Sequence, residues 1–315
     1  MDYLVVRTKL QAFIALELLG RGVISRPFVF VPLYRTDINE DSESVRLLYK
    51  RIASLACREE PMVQATGLVK NTARLTAHAL RCTLSGGTFF AAVVNLYPLA
   101  LALKLIGRVK FVSFDDGTAN TQVRSDSYHT EEPLPGNGLK RAVARWLFPQ
   151  GAAKYVRSRI DKHYTIFPGR RNIVPEAKLA TLKLDWSTLA RTADLEALRL
   201  PVSAVLIGSV YAEIPDSRVP WLYQWALERS DLYLPHPRQP KRPPGDIQVI
   251  DCGAPAESVI DYLLDRTEGA LTLYHFNSSV ALTYEGHRRI ISVDLLAVGD
   301  SIGSTRPRLQ AVADE

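Results

Sequence analysis

Phe114-Asp115-Asp116-Gly117-Thr118-Ala119-Asn120 is the stretch that decides the fold. Before it run Val109, Phe111 and Val112, opened by Gly107 and closed by two adjacent carboxylates. An apolar run without alternation is the pattern of a strand covered on both faces, as in a parallel sheet. Gly117 allows a tight turn, and Thr118 and Asn120 can cap a turn or helix. In open α/β sheets ligands bind beyond the carboxyl ends of the strands. Two carboxylates at such an edge can take a proton, hold a hydroxyl or grip a cation. The plainer alternative is a strand-end turn in which Asp115 only caps backbone amides.

The flanking chain repeats strand and helix. Residues 2–6 read as a strand, 8–19 as a helix ended by Gly20 and Gly22, 28–33 as a strand, and 41–55 and 66–80 as helices. Residues 89–95 are a strand, 98–105 a helix and 109–114 the strand that ends at Asp115. Residues 126–138 are loop, 139–148 a basic amphipathic helix, and the segment ending at Phe167 alternates like a strand. A second series follows Pro201, with strands at 202–207, 232–234, 249–250, 269–275 and 289–293 and helices at 220–229 and 256–264. Alternation of this kind indicates α/β domains with parallel sheets. The expected plan is two Rossmann-like domains, 1–200 and 201–315, facing one cleft in a GT-B-like architecture. No fixed-period repeat is visible.

Composition narrows the class. The chain has 315 residues, 47% hydrophobic and 23% charged, enough for two ordinary cores. The first residues lack a basic n-region, so a cytoplasmic location is expected. The most apolar stretch, 89–106, is broken by Asn95, Pro98 and Lys104 and reads as strand, turn and helix, with a transmembrane span as the rival reading. Cys57, Cys82 and Cys252 are scattered without metal spacing and are expected as free thiols. The net charge of +6 is spread over Arg141, Arg145, Lys154, Arg157, Arg159, Lys162, Arg170 and Arg171, with no compact tract interleaved with aromatics. This favours an anionic substrate or peripheral contact with the inner membrane over nucleic acid; the plain alternative is solvated helix faces.

Three polar clusters fall where parallel strands should end: Asp115-Asp116-Gly117, His236-Pro237 and Ser278-Ser279. A carboxylate can act as general base, a histidine as general acid, and hydroxyls at a helix start can bind phosphate. Taken singly, each is weak, because a lone histidine is usually structural and a serine pair is usually a cap.

In this order the clusters resemble the Asp-Gly, His-Pro and paired-serine motifs of bacterial sialyltransferases. The opening strand leading through Thr8, Leu10 and Gln11 into a helix, the 114–120 stretch, the His163-Tyr164-Thr165-Ile166 strand, Gly208 and the run Tyr233 to Arg238 are similar to glycosyltransferase family 52, the lipooligosaccharide sialyltransferase group. The resemblance implies an inverting, metal-independent transfer of sialic acid from CMP-sialic acid to a sugar hydroxyl of a surface glycan, with no cofactor beyond that donor. His236 would assist the leaving phosphate. Ser278 and Ser279 would hold it, and Glu257 would hold the ribose hydroxyls. Gly208, Pro237 and Arg238 belong to the same donor side, and Asp116, Gly117 and Gln11 to the acceptor side. Asp115 is the first choice of base, with Glu213 its rival and Asp216 a weaker one. The partners implied are a nucleotide sugar and a lipid-linked glycan acceptor, and a homodimer is compatible with them. Rival readings keep the fold with CMP-Kdo or a UDP-hexose as donor, or make the protein a non-catalytic glycan-binding or assembly protein.

Overall fold

The computed structural model describes residues 1–34, 43–63, 68–92, 96–117, 120–121, 142, 145–184, 186, 195–196, 198–211, 214–236, 246–250 and 255–303. The chain forms two compact units, Met1–Leu184 and Asp185–Glu315. Pro201, the expected boundary, lies inside the second unit. The reason is packing: Leu195 and Leu198 enter that unit's core, and the Trp186 carbonyl accepts a hydrogen bond from buried Ser258 Oγ at 2.7 Å.

In the first unit the described elements are β1 (Asp2–Val6), α1 (Lys9–Gly20), β2 (Phe28–Tyr34), α2 (Glu43–Leu55), β3 (Arg58–Glu59), β4 (Met62–Val63), α3 (Leu68–Leu84), β5 (Thr88–Ala91), α4 (Tyr97–Ile106), β6 (Lys110–Phe114), α5 (Ala152–Arg159), β7 (Lys162–Thr165) and β8 (Leu179–Thr181). The strand order is β3-β2-β1-β5-β6-β7-β8, with β4 beside β2, and the pairings are parallel. Alternate residues of the central strands feed two cores. Tyr3, Val5, Phe89 and Phe111 pack with Leu75, Leu99 and Val156 of α3, α4 and α5. Leu4, Val6, Phe90, Val112 and Phe114 pack with Ile14, Leu18 and Ile52 of α1 and α2. Coverage on both faces is why these strands read as unbroken apolar runs, each large side chain contributing roughly 1.5–3 kcal/mol on burial.

The second unit contains β9 (Ala204–Ile207), α6 (Val219–Leu227), β10 (Leu232–Leu234), β11 (Gln248–Val249), α7 (Ala256–Arg266), β12 (Leu271–His275), α8 (Ser279–Thr283), β13 (Ile290–Asp294) and α9 (Leu295–Gly303). Its strand order is β11-β10-β9-β12-β13, again parallel. Val205 and Ile207 face α7 through Val259, Ile260 and Leu263, while Leu206 and Tyr233 face Leu222 and Ala226 of α6 and Leu295 of α9. Among the described residues no helix is long and apolar enough to cross a membrane, and 89–106 divides into β5 and α4. Cys57 and Cys82 are free thiols, and Cys252 lies outside the described residues.

The sequence reading missed β3, β4, α5, β8 and α9. Of the helix expected at 139–148, residues 145–147 are helical, and much of the rest lies outside the described residues.

Candidate active site

The carboxyl edge of the first sheet is organised by strand register. Ser113 of β6 pairs with His163 of β7, so Asp115, two residues on, reaches the level of Thr165. The ladder continues through the Asp115 amide, which donates to the Tyr164 carbonyl at 3.1 Å. Asp115 itself has no solvent exposure. Its Oδ1 lies 2.9 Å from His163 Nε2 and accepts from Asn120 Nδ2 at 3.3 Å. Its Oδ2 accepts from Thr165 Oγ1 at 2.8 Å and the Ile166 amide at 2.7 Å. His163 is equally buried, and its Nδ1 stands 2.6 Å from Ser113 Oγ. A proton on Nε2 toward the carboxylate leaves Nδ1 to accept from the Ser113 hydroxyl in the neutral ring. Ser113, His163 and Asp115 have the connectivity of a nucleophile triad, but none is exposed, so no substrate reaches the hydroxyl.

Asp116 is the carboxylate that meets solvent, with its side chain 18% exposed. Gln11 Nε2 donates to its Oδ1 at 2.5 Å, and Arg7 Nη2 lies 3.3 Å from its Oδ2. Gln11 is buried in the first turn of α1, where Thr8 Oγ1 accepts from the Gln11 amide and Gln11 Oε1 accepts from the Arg7 amide at 2.7 Å. Gly117 turns the chain at φ 75°, a conformation that disfavours a side chain. Gln11, Asp116 and Gly117, separated in sequence, thus meet at one strand edge.

In the second unit the edge residues follow adjacent strands. Gly208 follows β9, and its amide donates to the Leu234 carbonyl at 2.7 Å. A Cβ at 208 would lie 2.4 Å from the His236 amide nitrogen and 2.8 Å from the Leu234 carbonyl oxygen, so only glycine fits beside the half-buried His236. Ser278 follows β12 as the cap of α8 and accepts from the Val280 amide at 3.3 Å; Ser279 is the first helical residue. The Ser278 amide donates weakly to His275 Nδ1 at 3.4 Å, and His275 Nε2 lies 2.8 Å from Ser292 Oγ. Burial lowers the proton affinity of His275 more than Asp294 raises it. Glu257 is buried in the first turn of α7. Tyr284 donates to its backbone carbonyl at 2.8 Å and lies 2.6 Å from Asp261 Oδ1, and burial pushes that phenol well above its ordinary value. Because β10, β9 and β12 are neighbours in a parallel sheet, His236, Gly208 and the serine pair share one edge.

In the loop after β9, Arg218 hydrogen-bonds Asp216 through its guanidinium and its amide, and holds that carboxyl down at about 2. Tyr211, in the same loop, packs its ring against Tyr223 and Phe276. Glu213, Pro237 and Arg238 lie outside the described residues. Sequence reasoning passed over His163, Thr165, Arg7 and His275 as site residues. The available signal was strand alternation, which puts His163 and Thr165 on one face beside Ser113 and Asp115.

Two parallel α/β units with polar side chains collected beyond their central strands define a protein built to hold a ligand at sheet edges. Residues 38–299 match the model of glycosyltransferase family 52, and the chain belongs to that family. It is 29% identical over 153 residues to an N-acetyllactosaminide alpha-2,3-sialyltransferase of Neisseria meningitidis. The match takes in 47% of this chain and only 36% of that relative's length. Looser likenesses join it to a Staphylococcus aureus MnaA–UDP structure, at 11% identity and TM-score 0.37, covering 96% of this chain and 71% of that one. Another is to a UDP-GlcNAc 2-epimerase from Neisseria meningitidis bound to UDP-GlcNAc, at 12% and 0.41, covering 90% and 80%. Overlaps that loose bear on neither substrate nor residue roles.

Proposed function

We propose that the protein transfers sialic acid from CMP-sialic acid to a sugar hydroxyl of a lipid-linked bacterial surface glycan, with inversion and without a metal, at the cytoplasmic face of the inner membrane. The observation that carries this reading is the family match across residues 38–299, which contains the Asp-Gly, His-Pro and paired-serine positions at their strand ends. A base takes the proton of the acceptor hydroxyl, whose oxygen bonds to the anomeric carbon from the face opposite the phosphate. The bond from that carbon to the phosphate oxygen breaks and CMP leaves. His236 donates to the departing phosphate as charge develops there, while Ser278 and Ser279 hold its other oxygens and Glu257 the ribose.

We read the Asp-Gly motif as two roles, on the hydrogen bonds each carboxylate makes. Asp115 spends both oxygens on four protein donors and serves to hold the turn; Asp116, with Gln11 and Arg7, is offered to the acceptor. We assign the base to the loop after β9, and there to Glu213, since Asp216 is tied to Arg218.

The deciding experiment incubates the protein with CMP-sialic acid and a lactose-type acceptor and reads product by mass spectrometry. Sialylated acceptor supports the proposal. Transfer from a UDP-hexose or CMP-Kdo instead would replace the donor, and CMP binding without any transfer would make this a glycan-binding protein.

A further inference from the structure

The first unit contains a cavity of about 950 Å³ that none of the candidate site residues described above lines. One wall is α5 and the other is the crossover from β7 to β8. Lys154, Arg157 and Ser158 stand at the spacing that puts them on one helix face, while Ala152, Ala153 and Val156 of the same helix are buried against the sheet. Gly169, Arg170, Arg171, Asn172 and Glu176 complete the polar lining. The lining therefore carries four cations against a single carboxylate.

The crossover wall is fixed in place. Asn172 is buried, its Nδ2 donating to Thr165 Oγ1 at 3.3 Å and its Oδ1 accepting from the Ile173 amide at 2.7 Å. Ile173 and Val174 are anchored in the core, and Lys178 Nζ reaches the Ile160 carbonyl just past the end of α5 at 2.5 Å. A wall held at both ends presents its arginines without the ordering cost a loose loop would incur. Cations gathered along two facing walls make a positive field into which an anion is drawn. Arginine forks match phosphate oxygens two at a time, and the cavity is of the size that small ligands fill, about 300–1,000 Å³.

We propose that this cavity binds a ligand carrying a pyrophosphate or a pair of phosphate monoesters. Each phosphate monoester carries about −1.5 to −2 charges near neutrality, and the cations stand two on α5 and two on the crossover, a pair for each phosphate. The site is built from residues of the first unit, and the groups proposed to hold the donor belong to the second. The same chemistry occurs on a soluble phosphate ester and on a lipid headgroup.

Calorimetry with inorganic pyrophosphate at about 0.15 M salt separates a site from diffuse attraction. The expected result is saturable single-site binding, weakened at least about tenfold in Lys154→Ser/Arg157→Ser and in Arg170→Ser/Arg171→Ser. Lys50→Ser/Arg51→Ser on α2 removes the same charge from the other face of the sheet and should bind as wild type. If a double variant fails to fold, Lys154→Ser alone, at an exposed position, should still weaken binding. Co-sedimentation with phosphatidylcholine vesicles, plain or doped with phosphatidylinositol 4,5-bisphosphate, whose headgroup carries two phosphate monoesters, distinguishes the sources. Capture by the doped vesicles that both cavity variants abolish assigns the lipid source; pyrophosphate binding without capture assigns the soluble one. The proposal is overturned by absent or unsaturable pyrophosphate binding, by equal loss in the α2 control, or by vesicle capture without pyrophosphate binding.

Discussion

Ser113 and His163 face each other across β6 and β7, with Oγ and Nδ1 2.6 Å apart, and the pair is sealed from solvent. Their neighbour in the chain of contacts is Asp115, so three polar side chains spend their hydrogen bonds on one another at the strand end. A buried acceptor engaged by four donors is expensive to remove, since each orphaned buried group costs about 1–3 kcal/mol.

Asp115→Ala and Asp115→Asn should therefore lower thermal stability, the alanine variant by more than about 3 kcal/mol, because His163, Thr165 and the Ile166 amide lose their acceptor. Denaturant unfolding measures it. Normal stability with kcat reduced on the order of 10²-fold in Asp115→Asn would return the base to Asp115.

Gly208→Ala should damage the donor edge. The added methyl meets backbone atoms at 2.4 and 2.8 Å, which cannot rotate away as a side chain would. Overpacking of this kind costs about 1–3 kcal/mol, and the displaced segment carries His236. Expected are a lowered melting temperature and a turnover loss resembling that of His236→Ala. In His236→Ala itself CMP affinity should stay close to wild type, because its proposed role is to donate to the leaving phosphate. Isothermal titration with CMP and steady-state rates check both, and unchanged turnover in His236→Ala removes that residue from the mechanism.

Transfer activity should survive excess EDTA. Both oxygens of buried Asp115 are taken by four protein donors, and Asp116 already lies beside the cationic Arg7, which disfavours a divalent ion there. Loss of activity in EDTA with recovery on adding Mg²⁺ or Mn²⁺ would convert the motif into a metal site.

The second unit should lose stability as pH falls. His275 has a folded-state pKa below its ordinary value of 6.5, chiefly through burial. Between that lowered value and about 6.5 the unfolded chain binds a proton that the folded one refuses, so unfolding becomes easier as pH drops through this window. His78 shifts in the same direction in the first unit, so the readout must be local. Hydrogen exchange at Leu271–His275 should quicken from about pH 7.5 to about pH 5.5 beyond the intrinsic exchange trend, and His275→Gln should flatten that response.

Much of this architecture is written in local pattern. Leu4 and Val6 feed one core while Tyr3 and Val5 feed the other, and such two-sided burial appears in sequence as an unbroken apolar run. Gly208 and His236 are legible as strand ends but not as neighbours, because their contact depends on β9 and β10 pairing in parallel. The burial of Asp115 is similarly invisible. Adjacent carboxylates look alike in a sequence, and only the register with His163 and Thr165 turns one inward and leaves the next at the surface. Helix α5 was hidden by its composition, since Lys154, Arg157 and Arg159 read as a charge run while the small Ala152 and Ala153 give a weak apolar stripe.

The remaining question is which carboxylate accepts the proton. A general base needs a lone pair open to the acceptor hydroxyl and enough basicity to take its proton. Asp115 lacks the first, with four donors and no exposure. Asp216 lacks the second: Arg218, which also contacts Asp300 at 2.8 Å, holds its carboxyl at about 2, so it is a weak proton acceptor near neutrality. Asp216→Asn should therefore keep kcat within a few-fold of wild type. Glu213→Gln should lose on the order of 10²-fold or more at saturating donor and acceptor, and the acidic limb of its pH profile should vanish. Arg218→Ala provides an independent check. Freed from its partner, Asp216 regains an ordinary carboxylate pKa, and if it were the base the acidic limb would move upward in pH. The expected profile is instead unshifted, with the limb still governed by Glu213. A collapse of kcat in Asp216→Asn, with Glu213→Gln near normal, would reverse the assignment and make the Arg218 contact a clamp on the catalytic carboxylate.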